Sequence, residues 1–308
     1  MPAASAAPMR FPERAIRIVV PFPPAGATDL LARRVGDALG RRLGVAVITE
    51  NRPGAAASVG GEVVARSPAD GYTILMAPVT VYAAGLSLSA KRVLDLERDF
   101  LPLCTVAYVP HVLLVPASLP PRSVGGLITL ARSAPAPLKL ASQGVGTISH
   151  LEGEMFRAVA GIELIHVPYK GSAPAHVDLI AGRVQVMFDS VAAALPHIRA
   201  GRLRALAATT PRRTAALPDV PTAVEAGLPG YVTESWVGAL APARVPGVVA
   251  EQLTVALKAV VGDVEFATAL AELGLEARVL TGDAFRALIR REITQWSAVV
   301  RRLGITLD

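Results

Sequence analysis

The sequence predicts an α/β fold divided into two domains. The chain has 308 residues, more than one average hydrophobic core requires. Hydrophobic residues make up 52% of the chain and charged residues only 18%, a composition typical of core-rich globular proteins. Short β-branched runs alternate with amphipathic segments, and this alternation predicts parallel sheets joined by right-handed helical crossovers.

The predicted elements follow one another as strand, turn and helix. Strands are expected at residues 16–21, 45–49, 72–77, 112–115, 138–141, 165–167, 184–188 and 203–208. Helices are expected at residues 29–43, 58–65, 124–133, 149–160, 172–181, 248–261 and 283–303. Ser149 and Glu152 have the spacing of a capping box for the helix at 149–160.

Residues 106–115 and 231–240 are predicted to cross between the two domains. Both segments are extended, carry aromatic residues and are flanked by prolines, and no low-complexity linker divides the chain. We therefore expect domain 1 to comprise residues 10–108 together with 231–308, and domain 2 to comprise residues 109–230.

The apolar stretch from Leu101 to Leu119 approaches the length of a membrane-spanning helix. Three prolines and His111 interrupt it, so two short strands separated by a kink are the better interpretation. Cys104 lies in this stretch and is the single cysteine of the chain, which excludes an internal disulfide and a cysteine-based zinc site. Its apolar surroundings predict an inert buried thiol.

The formal net charge is +6, but the arginine pairs that produce it are scattered along the chain. Scattered pairs indicate solvated helix faces and not a nucleic-acid partner, although a mild positive field attracts anionic ligands. Near the N-terminus, Ala4, Ser5 and Ala6 form a small-x-small triplet of the kind found at cleavage sites. Residues 1–8 are therefore either the remainder of a trimmed leader or a flexible start.

The turns that follow strands are the expected ligand sites, because ligands of open α/β sheets bind outside the carboxyl ends of strands and next to helix N-termini. The first turn, residues 21–29, is rigid at its prolines and carries only small side chains at Ala25, Gly26 and Ala27. Such residues let a carboxylate or phosphate approach free backbone N–H groups. The alternative is that Thr28 or Asp29 only caps the helix.

The second turn, residues 141–150, offers two glycines, three hydroxyl groups and the imidazole of His150 ahead of a helix. Gly144 and Gly146 could open a dinucleotide fingerprint, but Ser149 stands at the third glycine position, so no cofactor is predicted. Anion binding by backbone and hydroxyl donors fits the composition better. The alternative for His150 is a structural hydrogen bond in the first helical turn.

Two further turns carry ionisable groups. In the third turn, residues 167–172, Tyr169 is a candidate pocket wall and Lys170 a candidate cation. The alternative is an ordinary N-cap at Ser172 with Lys170 in solvent. In the fourth turn, Asp189 ends a predicted strand, where it either accepts a hydrogen bond from a ligand or caps the next helix.

Catalytic and metal sites are not indicated. Ser142, His150 and Asp189 could be combined into a triad, but the chain has no G-x-S-x-G elbow. The remaining histidines are isolated in sequence, and neither a zinc-protease motif nor a phosphate-binding loop is present. Much backbone polarity with few titratable groups indicates binding rather than catalysis.

These turns, in this order, resemble the substrate-binding proteins of tripartite tricarboxylate transporters, also called the Bug family. The resemblance covers residues 11–305. It is carried by the segments IRIVVPFPPAGATD (16–29), ENRPGA (50–55), DGYTIL (70–75), ASQGVGTISHL (141–151), HVPYKGSAPA (166–175), VMFDS (186–190), LPDVPTAVEAGLPGY (217–231) and W-x-G (236–238).

The resemblance implies a type II periplasmic binding-protein fold, with a cleft between two Rossmann-like domains. It implies a monomer that captures a small carboxylate, such as a dicarboxylate, an amino acid or an aromatic carboxylate, and delivers it to membrane transporter subunits. The alternative outputs are signalling to a membrane sensor and, from a different class, a hydrolase using Ser142 and His150. The implied ligand-binding residues are Phe22, Pro24, Ala25, Gly26, Thr28 and Asp29 on one side, and Ser142, Gly146, Thr147, His150, Tyr169, Lys170 and Asp189 on the other.

The chain departs from the family pattern at several turn positions. Ala25 replaces the first glycine of the usual PFPPGG, which would strain the turn by about 1 kcal/mol if that position needs a positive φ. Ala56 and Ala57 replace two further glycines, and Ser190 replaces an asparagine. These departures leave the fold intact and put the family's usual ligand in doubt.

Overall fold

A computed structural model describes residues 10–55, 57–88 and 94–304. The N-terminal triplet and Ala56 lie outside the described residues. The strands are β1 (Ile16–Val20), β2 (Val47–Asn51), β3 (Thr73–Pro78), β4 (Phe100–Tyr108), β5 (His111–Pro116), β6 (Leu138–Ser142), β7 (Leu164–Pro168), β8 (Val186–Ser190), β9 (Leu203–Ala208), β10 (Trp236–Pro242) and β11 (Glu276–Ala277). The helices are α1 (Ala27–Leu43), α2 (Ser58–Ala65), α3 (Val79–Leu88), α4 (Val124–Ser133), α5 (Ile148–Ala160), α6 (Ser172–Ile180), α7 (Val191–Arg199), α8 (Gly247–Val261), α9 (Val264–Glu272) and α10 (Gly282–Leu303).

These strands form two separate sheets, which confirms the predicted α/β fold. The first sheet has the order β11-β4-β10-β3-β1-β2, and the second has the order β7-β6-β8-β5-β9. Parallel pairing was predicted and is present at β1–β2, β1–β3, β6–β7 and β6–β8, but both sheets also contain antiparallel strands. β10 runs antiparallel to β3 and β4, and β5 runs antiparallel to β8 and β9.

The antiparallel strands are those that carry the chain between the sheets. β4 ends in the first sheet at Tyr108, and β5 begins in the second sheet at His111, so the predicted crossing at 106–115 is confirmed. The chain returns through residues 209–235 and enters the first sheet as β10. The two crossings lie side by side, since the Val109 N–H donates to the Ser235 carbonyl at 2.8 Å.

The last helix, α10, connects the two halves of the molecule. Phe285 and Ile289 pack in a core cluster with residues of the first sheet. Trp296 and Val300, further along the same helix, pack in a cluster that contains residues of the second sheet. α10 therefore contributes to both cores, and the predicted domain limits at 108 and 231 stay a prediction.

Several element boundaries differ from the predicted ones. α1 begins at Ala27, two residues earlier than predicted, and β2 lies two residues later. The helices α3 and α9 were not predicted, and no bounds were given for α7, the helix expected after Asp189. The capping-box prediction is wrong, because Thr147 is the N-cap of α5 and Ser149 lies inside the helix, where its Oγ donates to the Phe188 carbonyl. Cys104 is a free, buried thiol, and burial raises its pKa to about 12.

Candidate functional site

A cavity of about 60 Å³ lies between the carboxyl ends of strands from both sheets. The residues that line it from the first sheet are Phe22, Pro23, Pro24, Gly26, Ala27, Thr28, Pro78, Val81 and Val237. Those from the second sheet are His111, Gln143, Ile148, Lys170, Gly171, Ser172, Ala173, Pro174 and Ser190, and the crossings add Val109 and Ser235. The predicted cleft between two domains is present.

The two sides of the cleft touch each other at its rim. A β-carbon on Gly171 would lie only 3.4 Å from the ring of Pro23 on the opposite side. The cavity behind this contact is much smaller than the several hundred Å³ of typical ligand sites. The two sides of the cleft therefore lie close together in this structure.

The first turn presents the uncapped start of α1 to the cavity. Gly26 is the N-cap and no side chain caps the helix, so the N–H groups of the first helical turn stay available to a ligand. Of the predicted residues in this turn, Phe22, Pro24, Gly26 and Thr28 line the cavity. Ala25 has a φ of 71°, so this position does require the left-handed conformation.

Asp29 lies behind the first turn and does not line the cavity. It is buried, and its Oδ2 accepts a hydrogen bond from the Ala25 N–H at 3.0 Å. The amide of Asn51 donates to Asp29 Oδ1 and to the Phe22 carbonyl, both at 2.9 Å. Burial raises the pKa of Asp29, but hydrogen bonds from Arg33, Ala25 and Asn51 outweigh it and hold the pKa below its ordinary value. Asp29 therefore braces the turn and does not cap α1.

The second turn satisfies its own polar groups. The Thr147 hydroxyl donates to the Gly144 carbonyl at 2.7 Å, and the Gly146 N–H donates to Nδ1 of His150 at 3.2 Å. Ser142 Oγ lies 2.7 Å from Nε2 of His166. Ser142, Gly146, Thr147 and His150 do not line the cavity, and the structure instead brings Gln143 and Ile148 to it.

Ser142, His150 and Asp189 do not form a catalytic triad. His150 stacks on His166 with ring centroids 4.0 Å apart, and burial lowers the pKa of each to about 4. Ser142 is fully buried and bonds His166, not His150. Asp189 pairs with His176, with Oδ2 and Nε2 2.9 Å apart. The three residues therefore do not form one chemical unit.

In the third turn, Lys170 lines the cavity and Tyr169 does not. The Tyr169 hydroxyl donates to Asp178 at 2.7 Å, and burial and this carboxylate raise its pKa to about 12. Lys170 is exposed at the mouth of the cleft. Gly171, not Ser172, is the N-cap of α6, which no side chain caps.

Asp189 is fully buried in β8 and acts through its neighbours. Its Oδ1 accepts hydrogen bonds from Gln143 Nε2 at 2.5 Å and from the Ser190 N–H at 2.6 Å. Gln143 also donates to Ser172 Oγ at 3.0 Å. Asp189 therefore positions Gln143 and does not touch the cavity, and Ser190, not Asp189, caps α7.

A buried histidine–glutamate pair in the cleft was missed by sequence reasoning. His111 lines the cavity, and its Nδ1 lies 2.8 Å from Oε2 of Glu152. The Thr233 hydroxyl donates to Oε1 of the same carboxylate at 2.6 Å. These residues are distant in sequence, so no local pattern links them. Asn51, Gln143 and Ser172 were also missed as site residues, although their motifs were recognised.

The groups around the cavity favour negative charge. The helices α1, α5 and α6 all begin at the cavity without a side-chain cap, and helix N-termini attract negative charge. His111 and Lys170 add two basic side chains. Among the described lining residues there is no aspartate or glutamate.

Two kinds of feature are absent from the described residues. No group of three or more histidine, cysteine, aspartate or glutamate side chains could hold a metal ion there. None of the described helices is long and apolar enough to cross a membrane.

Known proteins with the same architecture include two that were solved with carboxylates. Rpa4515 of R. palustris, solved with adipate, superposes with a TM-score of 0.93 at 35% identity, covering 96% of this chain and 99% of that one. MatC (Rpa3494) from Rhodopseudomonas palustris, solved with bound malate, has a TM-score of 0.88 at 29% identity, covering 94% and 100%.

The sequence comparisons agree with the structural ones. BugT from Bordetella pertussis is 35% identical over 298 residues, which is 96% of this chain and 91% of BugT. The family model of the tripartite tricarboxylate transporter family receptor, TctC, matches residues 31–305. The chain therefore belongs to the TctC or Bug family of periplasmic solute-binding receptors.

Proposed function

We propose that this receptor captures a small carboxylate in the periplasm and delivers it, as a monomer, to the membrane subunits of a tripartite tricarboxylate-type transporter. The observation that carries the proposal is the convergence of three uncapped helix N-termini on one cavity. Peptide dipoles of this kind stabilise an anion without a dedicated arginine clamp. Two related proteins were solved with adipate and with malate, and both of these ligands are carboxylates.

The lining residues favour a carboxylate without an amino group. An amino acid brings an ammonium group into the cleft, and the described lining residues offer it no acidic side chain. A charge buried without a partner costs free energy. We therefore place dicarboxylates and aromatic carboxylates ahead of amino acids as ligands.

We also propose that the protein catalyses no reaction. The hydroxyl of Ser142, the nucleophile of the alternative hydrolase, is fully buried and lies within hydrogen-bonding distance of His166. It does not line the cavity in which a substrate would sit. Turnover of esters that disappears in Ser142→Ala would contradict this proposal.

Calorimetry with matched ligands tests the binding proposal. Glutarate and glutamate differ by one ammonium group, and we expect glutarate to bind at least roughly tenfold more tightly, a difference of about 1.4 kcal/mol. Adipate, malate and benzoate extend the series in length, hydroxylation and shape. An exposed variant outside the cleft, Arg34→Gln, serves as the control. Absence of binding across the whole series would contradict the proposal.

Transport is tested separately in cells. Uptake of the best ligand should fall when the receptor gene is deleted and return when the gene is restored. Tight binding without any effect on uptake would favour the alternative in which the loaded receptor signals to a membrane sensor.

A further inference from the structure

His111 occupies the floor of the cleft, where the chain first crosses between the sheets. It is the first residue of β5, only 4% exposed, and it lines the cavity. Its Nδ1 is committed to Glu152 at 2.8 Å. No described residue makes a hydrogen bond to Nε2, so this nitrogen is the one open to a ligand.

Glu152 is placed so that it holds one orientation of the His111 ring. Its carboxylate is 1% exposed, and a buried carboxylate requires an opposite charge or hydrogen-bond donors. His111 donates from Nδ1 to Oε2 of Glu152, and the Thr233 hydroxyl donates to Oε1 at 2.6 Å. The Tyr231 hydroxyl donates to the Glu152 carbonyl, which also anchors this turn of α5.

The charge of His111 decides what the cavity offers to an anion. A neutral ring that donates from Nδ1 to Glu152 has a lone pair on Nε2, which repels a carboxylate oxygen. A protonated ring donates from both nitrogens, so Nε2–H becomes a charged hydrogen-bond donor to the ligand. Protonation thus converts the floor of the cleft from an acceptor into a donor.

We propose that His111 is a ligand-binding residue whose imidazolium donates from Nε2 to the ligand carboxylate, and that Glu152 is the positioning residue which keeps the ring charged and oriented. The proposal rests on the proposed carboxylate-binding function and deepens it. It makes capture of the ligand depend on pH through one identified proton.

The surrounding charges support this assignment. Burial lowers the pKa of His111, but the carboxylates of Glu152 and Asp189 outweigh burial and raise it above its ordinary value. Glu152 contacts His111 directly, Asp189 lies on the neighbouring strand β8 beside its partner His176, and Lys170 lines the same cavity. A raised pKa means that the imidazolium persists above the ordinary histidine range near pH 6.5. Affinity is therefore highest below the raised pKa and falls as the pH increases through it.

Calorimetric titration with adipate from about pH 5.5 to 9, a range that brackets the ordinary histidine pKa, tests the proposal. Above the pKa of His111, the affinity of the unmodified protein should fall by up to about tenfold per pH unit, since binding takes up one proton. We call this part of the pH profile the alkaline limb. His111→Asn should bind roughly 10- to 100-fold more weakly at low pH, with no alkaline limb from this residue. Glu152→Gln keeps an acceptor for Nδ1–H but loses the charge, so its alkaline limb should move to lower pH.

A matched control separates His111 from the other cleft cation. Lys170→Met should weaken binding across the range while the alkaline limb stays at the pH of the unmodified protein. Titrations in buffers of different ionisation enthalpy count protons directly and do not depend on comparing variants. We expect uptake approaching one proton per adipate on the limb for the unmodified protein, and none in His111→Asn.

The outcomes distinguish the inference from the function on which it rests. If the unmodified protein binds adipate without proton uptake, or if His111→Asn keeps the same pH profile, the inference is overturned and carboxylate binding stands. If His111→Asn does not fold, two other measurements test the inference. Proton uptake by the unmodified protein and a shift of the alkaline limb to lower pH in Glu152→Gln would support it, and absence of both would overturn it. If the unmodified protein binds none of the tested carboxylates, both proposals are overturned.

Discussion

The cleft has two walls: the first wall is the side that carries residues 21–29, and the second wall is the side that carries residues 141–150, 167–172 and 189–190. The two walls are built alike but present different groups to the cavity. Each wall has a buried aspartate behind its turns: Asp29 on the first and Asp189 on the second. The first wall offers the cavity backbone N–H groups, small residues and proline rings, whereas the second adds the side chains of His111, Gln143 and Lys170. On the proposed function, the first wall recognises a carboxylate of any kind, and the second sets charge, pH dependence and ligand choice.

The two aspartates also differ in their surroundings. Asp29 is braced by Arg33, whose side chain is 49% exposed, so water can replace part of that interaction. Asp189 faces His176, whose side chain is 3% exposed, and accepts from Gln143 inside the protein. Removing a partner from a fully buried network costs more than removing one at the surface. We therefore expect substitutions in the second wall to lower the free energy of unfolding more than substitutions in the first.

The largest effect is expected from Asp189→Ala. The variant leaves His176, Gln143 and the Ser190 N–H without their buried acceptor, and we expect a loss of about 3 kcal/mol in the free energy of unfolding. Adipate affinity should fall as well, because Gln143 loses its position. Urea unfolding and calorimetry measure the two effects. Asp189→Asn, which keeps one acceptor oxygen, is the matched control and should lose about 1 kcal/mol.

The same aspartate predicts a pH dependence of stability. Burial raises the pKa of Asp189, but His176, His111 and Ser172 outweigh it and hold the pKa below its ordinary value. Its contribution is therefore present above the ordinary aspartate pKa and is lost as the pH falls through the lowered one. Urea midpoints measured from neutral to acid pH should fall less steeply in Asp189→Asn than in the unmodified protein. An equal slope in both would contradict this.

A smaller loss is expected from Asp29→Ala. The Ala25 N–H and the Asn51 amide lose an acceptor, but the half-exposed Arg33 can be hydrated. We expect a loss of about 1–2 kcal/mol, measured by urea unfolding. A loss larger than that of Asp189→Ala would mean that the proposed difference between the walls is wrong.

The turns singled out from the sequence adjoin the cavity, but several of the side chains named within them do not line it. The fold was predictable because β-branched runs and glycine stops are local signals, as at β1 and α5. Lys170, Gly26 and Ala27, which the same local signals single out, line the cavity, and their role in binding stays a prediction. Thr147 and His150 were expected in the cleft, but they bond within their own turn, and this geometry depends on how the backbone folds back on itself.

His111 shows the opposite limit. Its partner Glu152 is 41 positions away, and the pair meets only because β5 is inserted beside β8 in the second sheet. A histidine in an apolar stretch gives no indication of such a partner. The mixed sheets have the same origin, since the direction of β5 and β10 follows from the crossings between sheets and not from local pattern.

The smallest effect tests the first wall at Ala25. Its φ of 71° strains an alanine by about 1 kcal/mol, and a glycine at the same φ is not strained. Glycine also loses about 0.4–1 kcal/mol through the greater freedom of the unfolded chain. We therefore expect Ala25→Gly to leave stability unchanged or to raise it by up to about 0.5 kcal/mol. Ala38→Gly, inside α1, should lose about 1 kcal/mol. Urea unfolding of both variants provides the comparison, and equal losses at the two positions would show that the first turn is not strained.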